Sequence, residues 1–406
     1  MLVENCSYPR DVRVRREAET LVSAGFAVSV VSQALDGQPR RETIKGVRVY
    51  RYKAPPEIAG QFGYIVEYGY SILVTLLLVI NIALTAGIDV IHAANPPDLF
   101  VFIALLFKPF GVKFVYDQHD LAPEMYGSRY STKPNRFVET ALRLCEGWSY
   151  RFADHVVVAN ASYRENAMLR GRVPAARVSI VRNGPDAAQL DHRVEALEGL
   201  FEPGTITIAY LGLMGVQDGV DYLIRALSRL LHDLRRTDFR CLLIGSGEQQ
   251  KQLEQLVRAC DLQPYVRFAG FIPDPDFISY LLAADICVDP DPFSKYNNCS
   301  TMIKVMDYMA AGKPIVAFDL LETRRSAGDA ALYVEPNDEL KFAEALAHLM
   351  DHPEQRVAMG ALGRSRVEGE LSWSTSAEHL LRAYAALTPA HRVQQHSSVE
   401  ADQRNA

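Results

Sequence analysis

The stretch Pro290-Asp-Pro-Phe-Ser-Lys-Tyr-Asn-Asn-Cys-Ser-Thr-Met-Ile-Lys-Val-Met-Asp-Tyr-Met-Ala-Ala-Gly-Lys-Pro-Ile-Val-Ala-Phe-Asp-Leu-Leu-Glu322 reads as strand end, polar loop, helix, tight turn and strand. Ser300-Thr301 is a good capping pair and predicts the helix start. The helix should run to about Ala311, where Gly312 stops it and Pro314 follows. Thr301, Lys304 and Tyr308 follow helical spacing, with Asp307 on the side of Lys304. A helix start with free N–H groups, two hydroxyls and an inward lysine suits a diphosphate. A carboxylate further along suits ribose hydroxyls. The competing reading is an ordinary amphipathic helix with a capped start.

Working outward, apolar strand-like runs alternate with helical patterns twice over. The first half offers Leu2–Val3, Ala27–Val31, Val47–Tyr50, Asp89–His92, Lys113–Tyr116, His155–Val158 and Val178–Val181. The second offers Ile206–Leu211, Phe239–Ile244, Val266–Ala269, Ile286–Val288, Pro314–Phe318 and Ala331–Val334. Two doubly wound parallel sheets follow from this alternation, and such sheets bind ligands at the carboxyl ends of their strands. The first run is short for a central strand: either the strand is short or its start lies upstream.

The chain has 406 residues, enough for two cores. Its net charge of −6 is uneven. Residues 1–190 carry 22 Lys and Arg against 18 Asp and Glu, the remainder 21 against 31. The basic half suits an anionic surface or substrate, but the excess is too small for nucleic acid, and no nucleic-acid module is visible. Cysteines at 6, 145, 241, 260, 287 and 299 form no CxxC pair and no Cys/His cluster. They read as reduced thiols of a cytosolic protein. The basic-then-apolar pattern of a leader is lacking at the start.

Tyr68 to Ile88 holds 21 residues without a charge, long enough to span a bilayer. Spanning would put strands of one sheet on opposite sides of a membrane. A helix apolar all round can lay one face on the sheet while the other lacks a cover. Lipid, another subunit or the segment Leu99–Phe107 could supply it. Arg10, Arg13, Arg15, Arg16, Arg129, Lys133 and Arg136 would favour an anionic leaflet, or they form a solvated face.

Several motifs together resemble the retaining glycosyltransferases of family 4. They are Val3-Glu-Asn-Cys-Ser-Tyr-Pro-Arg-Asp11 with Arg13-Val-Arg-Arg-Glu-Ala18, Ile91-His-Ala-Ala-Asn-Pro-Pro-Asp98, Tyr116-Asp-Gln-His-Asp-Leu-Ala-Pro-Glu124 and Val181-Arg-Asn-Gly-Pro-Asp186. Tyr210-Leu-Gly-Leu-Met-Gly-Val-Gln-Asp-Gly219, Leu243-Ile-Gly-Ser-Gly-Glu248 and the 290–322 stretch complete the set. The likeness covers about residues 1–388 and is nearest the bacterial branch that builds surface polysaccharides, including transferases for N-acetylfucosamine-type sugars.

The resemblance implies an α/β GT-B fold, two doubly wound Rossmann-like domains facing a central cleft. Residues 1–190 would form the acceptor domain and 191–373 the nucleotide-sugar domain. Helix 374–388 would return to the first domain, and 389–406 would be a disordered tail. It implies transfer of a hexose or N-acetylated deoxyhexose from a nucleotide sugar to a lipid-linked or oligosaccharide acceptor, without metal or other cofactor, on the cytoplasmic membrane face. His119, Lys304 and Asp307 would be catalytic. Arg182, Asn183, Gly212, Gly215, Gln217, Gly245, Gly247, Ser300, Thr301 and Glu322 would hold the donor. Asp117, Asp120 or Glu124 could orient His119, and Asp289 and Asp291 read as loop structure. Glu322 could anchor the sugar or cap the next helix.

Two departures stand out. Where many members place Glu, seven residues, Glu, this chain has Cys299 and Asp307. Where many place Arg and Lys for the diphosphate, it has Leu213 and Asp218. These departures motivate a rival reading, a non-catalytic partner of a transferase; a third reading, a sugar-nucleotide epimerase of the same fold, needs carboxylate acid/base pairs in the cleft and no acceptor.

Overall fold

The computed structural model describes residues 1–55, 61–129, 135–185, 204–273 and 276–388. The expected tail and most of the boundary stretch 184–204 lie outside them. The chain divides into two compact units, Met1–Asn183 with Ser376 onward, and Gly184–Thr375.

In the first unit the strands are β1 (Ser29–Ala34), β2 (Arg41–Ile44), β3 (Val47–Lys53), β4 (Val90–Ala94), β5 (Lys113–Gln118), β6 (His155–Val158) and β7 (Val178–Ile180). They form two ladders, β1-β3-β2 and β4-β5-β6-β7. Leu2 joins the ladders through parallel bridges to Val31 and Ala93, its N–H donating to the carbonyl of His92 at 2.8 Å. All pairs are parallel except β2 with β3. That hairpin, absent from the expected strands, turns on Lys45 and Gly46, both at positive φ, the backbone a two-residue hairpin requires.

The helices here are α1 (Val12–Ser23), α2 (Gln61–Ala86), α3 (Val101–Phe107), α4 (Ala122–Arg129), α5 (Arg136–Phe152) and α6 (Ala161–Leu169). Asp11 caps α1, accepting from Arg13 and Val14 N–H. The inward stripe of α1 is Val14, Glu17, Ala18 and Leu21, so one carboxylate lies among apolar positions. On α2, Ser71, Thr75, Val79 and Ile82 are buried while Leu73, Leu77, Ile80 and Leu84 are exposed. One face is covered and the other bare. Across Val66–Ala86 the helix is long and apolar enough to cross a membrane.

The second unit has one six-stranded sheet, ordered β10-β9-β8-β11-β12-β13. Its strands are β8 (Ile206–Leu211), β9 (Phe239–Ile244), β10 (Val266–Gly270), β11 (Ile286–Asp289), β12 (Ile315–Phe318) and β13 (Ala331–Val334). Between and after them run α7 (Val220–His232), α8 (Gln250–Ala259), α9 (Phe277–Ala283), α10 (Lys295–Cys299), α11 (Ile303–Ala310), α12 (Leu321–Ala327), α13 (Glu339–Asp351), α14 (Pro353–Glu368) and α15 (Trp373–Leu387). Strand residues alternate between two cores: Ile208, Tyr210 and Leu243 in one, Ala209, Leu242 and Ile244 in the other, as the two-residue period demands. Helix α15 starts in this unit and continues in the first.

The helix expected from Ser300 begins later. A short helix, α10, is inserted first, capped by Ser294, whose Oγ accepts from Asn297 N–H. Ser300 Oγ donates to Tyr296 O at 2.8 Å and so closes α10, and α11 opens after Met302 with no side-chain cap. Gly312, at φ 66°, ends α11 as expected.

Candidate functional site

The second unit gathers its loops at the carboxyl edge of the sheet. Gly212 N–H donates to Ile244 O at 2.9 Å and Met214 N–H to Ser246 O at 3.1 Å, so the loops after β8 and β9 run together. Gly245 sits at φ 131°, where a Cβ would lie 1.8 Å from Gly212 O. Gly219 sits at φ 64°, where a Cβ would lie 2.0 Å from Pro290 O. Neither position admits a side chain. A Cβ at Gly247 would lie 2.5 Å from Met214 O, and Gly215 donates its N–H to Asp218 Oδ2 at 2.9 Å. Asn297 Nδ2 reaches Gln217 O at 2.9 Å, drawing in the loop after β11. Gln217 Oε1 is buried without a hydrogen-bond partner among the described residues, the condition of a group awaiting a ligand.

Lys304 is placed differently from the sequence reading. Its ammonium is buried, in contact with Asp291 and 3.2 Å from Asp289, over the ring of Tyr210 at 4.9 Å. Burial would lower this lysine, but Asp291 and Tyr210 carry it well above its ordinary value. Burial and the charge of Asp289 push Asp291 up, and burial raises Asp218 beside them. The lysine is thus neutralised within the protein and is not offered to a diphosphate. Asp289 and Asp291 are its partners rather than loop structure, because a buried ammonium needs a counter-charge.

Neighbouring groups are similarly engaged. Thr301 Oγ1 donates to Glu322 Oε2 at 3.5 Å. Glu322 is fully buried and accepts from Arg325 at 2.8 Å, so it stabilises the first turn of α12 and is not open to a sugar. Ser300 is buried in the α10 terminus, and Asp307 is half-buried on α11. Tyr308 Oη accepts from Leu211 N–H at 2.8 Å and donates to Val288 O at 3.1 Å, pinning the ends of β8 and β11.

At the carboxyl edge of the first unit, the Tyr116–Glu124 motif leaves β5 and turns. His119 is buried, and Asn95 fixes its loop: Asn95 Oδ1 accepts from His119 N–H at 2.6 Å and Asp120 N–H at 3.0 Å. The ring Nε2 of His119 contacts Asp117 Oδ2. Of the three candidate orienting carboxylates, Asp117 is therefore the one that orients it, while Glu124 pairs with Arg170. Asp117 also lies 3.2 Å from His92 Nε2, which is 3.3 Å from Glu17 Oε2. Burial works against the charge on Asp117, but His119 and the imidazole hydrogen bonds hold it below the ordinary carboxylate range. Burial also opposes charge on His119, which Asp117 nevertheless raises.

Arg182 donates its N–H to Ser376 Oγ at 3.0 Å, and Asn183 is the last residue of the first unit before the chain passes into the second. The proposed catalytic residues therefore fall in separate units, His119 in one and Lys304 with Asp307 in the other. Sequence reasoning missed His92 and Glu17; the carboxylate on the inward stripe of α1 was the available signal. Glu17, His92 and Asp117 place ligand atoms within 4.8 Å of one another, close enough for a metal ion. As they stand, an imidazole between two carboxylates supplies the positive charge.

Residues 11–184 match the glycosyl transferase 4-like domain, and residues 205–352 match glycosyl transferases group 1. A D-inositol 3-phosphate glycosyltransferase of Corynebacterium kroppenstedtii is 28% identical over 256 residues, 60% of this chain and 55% of that protein. A GDP-mannose-dependent monoacylated alpha-(1-6)-phosphatidylinositol monomannoside mannosyltransferase of Corynebacterium glutamicum is 33% identical over 183 residues, 44% of this chain and 47% of that one. The chain thus spans about half the length of these curated relatives. Sucrose-phosphate synthase of Thermosynechococcus elongatus shares the fold with a TM-score of 0.77 at 19% identity over 95% of each chain. Anabaena HepE, in complex with UDP and glucose, does so at 0.68 and 16%, over 95% of this chain and 98% of that one. Both halves of the sequence match this one family, and the chain belongs to the family 4 glycosyltransferases of GT-B fold.

Proposed function

We propose that the protein is a retaining glycosyltransferase that moves a hexose or an N-acetylated deoxyhexose from a nucleotide sugar to a lipid-linked or oligosaccharide acceptor in surface polysaccharide synthesis. The observation that carries the reading is the second unit's carboxyl edge, where Gly212, Gly219 and Gly245 let backbone loops converge beside the unpartnered Gln217 Oε1. Backbone N–H groups there can meet phosphate oxygens. With Lys304 neutralised by aspartates, diphosphate charge falls to those N–H groups. His119, oriented by Asp117, acts at the reacting centre. In retaining transfer of this kind the acceptor hydroxyl attacks on the face of the leaving diphosphate, which takes its proton, so no protein nucleophile and no metal is required.

The bare stripe of Leu73, Leu77, Ile80 and Leu84 supports docking on the cytoplasmic membrane face, where a lipid-linked acceptor resides. The test is transfer of labelled sugar from UDP-, GDP-, dTDP- or ADP-sugars to a lipid extract in EDTA, with the product anomer assigned by NMR. An inverted anomer refutes retention, and dependence on added metal refutes metal independence.

A second reading, a non-catalytic partner of a transferase, is favoured by the self-neutralised Lys304 and by Asp218, which closes its own turn on Gly215. Turnover by the isolated chain excludes it. Conversion of a nucleotide sugar with no acceptor present would favour the epimerase.

A further inference from the structure

The C-terminal helix reaches the histidine site. Tyr384 of α15 is buried, and its hydroxyl lies 2.8 Å from His92 Nδ1, with the two rings stacked at 6.0 Å and 26°. His92 Nε2 faces Glu17 and Asp117, and Asp117 contacts His119 Nε2. Four side chains from four segments thus form one line of polar contacts, hydrogen bonds at its two ends and an ion-pair contact between His92 and Asp117 in the middle: α15, β4, β5 and the loop after β5. Nothing in the transfer chemistry explains why a second imidazole and a tyrosine should be buried behind Asp117.

We propose that His92 and Tyr384 are positioning residues for His119, acting through the shared carboxylate of Asp117. The inference rests on the reading that His119 serves the transfer. The line does two things. A buried carboxylate with one partner can rotate about its terminal torsion; two imidazoles on the same oxygen fix it. A fixed Asp117 then holds His119 by Nε2, which leaves Nδ1 as the ring nitrogen without a protein partner among the described residues and able to meet a substrate. Two carboxylates, Glu17 and Asp117, face the two imidazoles, so each acid lies beside a ring able to carry the balancing charge. That explains Glu17, which would otherwise be an isolated charge on the inward face of α1. Tyr384 selects the state of His92 by occupying Nδ1. Through Tyr384 the last helix becomes part of the machinery that orients the reacting groups. The charged and titratable groups facing His119 and Asp117 are Asp11, Arg13 and Glu17 at and on α1, His92 on β4 and Tyr384 on α15.

The test uses the full chain labelled with 15N in its histidine imidazoles, with His92 and His119 assigned by single His→Gln variants. Tyr384→Phe keeps the ring and its edge contact with Phe26 and removes one hydroxyl. The expected result is that the His119 ring resonances move in Tyr384→Phe. Turnover should fall about tenfold, the effect of one hydrogen bond to a charged group, with donor KM unchanged. Phe26→Leu, which alters packing but not the line, should lower Tm and leave His119 where it was. His119 resonances in Tyr384→Phe superimposable on wild type would overturn the proposal. The resonance readout requires no donor, so it decides the proposal even if the protein transfers no sugar.

Discussion

Replacing Lys304 with Ala separates a structural ammonium from a ligand group. The ammonium touches Asp291, lies 3.2 Å from Asp289 and covers Tyr210. Its removal leaves two buried carboxylates without a counter-charge, a loss of about 3–5 kcal/mol. For a unit of this size, 1 kcal/mol moves Tm by about 2–4 °C, so a fall of roughly 6–20 °C is expected. Chemical denaturation of the full chain, followed through the transition of the second unit, measures it. In the variant Asp291, which burial and Asp289 already raise, also loses the lysine that lowers it, so the folded state binds more protons than the unfolded chain. Stability then falls as pH rises through the carboxylate range, and the deficit shrinks toward pH 4. Lys304→Met combined with Asp291→Asn should recover at least half the loss, because one unpaired charge goes with the lysine. A Lys304→Ala protein within about 1 kcal/mol of wild type, lacking only nucleotide affinity, would refute this reasoning and return the lysine to the diphosphate.

Three further outcomes follow from other parts of the molecule. Gly245→Ala must shift the backbone of Gly212, 1.8 Å from the new Cβ, and should abolish stabilisation by nucleotide; retained stabilisation in a thermal melt would show that this loop does not hold the donor. Leu77→Lys and Leu84→Lys, on the bare face of α2, should leave Tm unchanged and reduce sedimentation with anionic vesicles, and unchanged sedimentation rules out that face as the membrane contact. Burial raises Asp98 to about 6 against the hydrogen bonds of Tyr116 and Asn95; as an acid that holds its proton longer when folded, it costs stability as pH rises from about 4 to about 6, roughly 3 kcal/mol. Asp98→Asn should flatten that limb in pH-dependent denaturation, and an unchanged limb contradicts it.

The fold was legible because its signals are local. The strand runs follow a two-residue period, Gly312 stops α11 where a left-handed residue is needed, and α2 shows one covered face. The first hairpin was legible only in part: Gly46 marks the turn, but Arg41–Ile44 is polar and reads as loop. The start of α11 differs from the expectation because Ser294 caps an extra helix, α10, whose last turn uses the Ser300 hydroxyl, so α11 opens after Met302 without a side-chain cap. The site was less legible for a different reason. Whether Lys304 meets a ligand or an aspartate depends on where β11 ends relative to α11, a distance that spacing does not encode. Asp117 as the orienting group was within reach of the sequence, being one of three carboxylates in its motif. Tyr384 was not, lying 292 residues from His92.

Binding of a nucleotide sugar is the property most directly open to measurement. Thermal melts of the full chain with UDP-, GDP-, dTDP- and ADP-sugars in EDTA should show one nucleotide class raising Tm. Ligand at a hundred times its Kd adds about 2.7 kcal/mol, a rise of several degrees that Gly245→Ala should lose. No rise with any of the four, on a folded sample, would contradict a working donor site and leave the non-catalytic partner as the better reading.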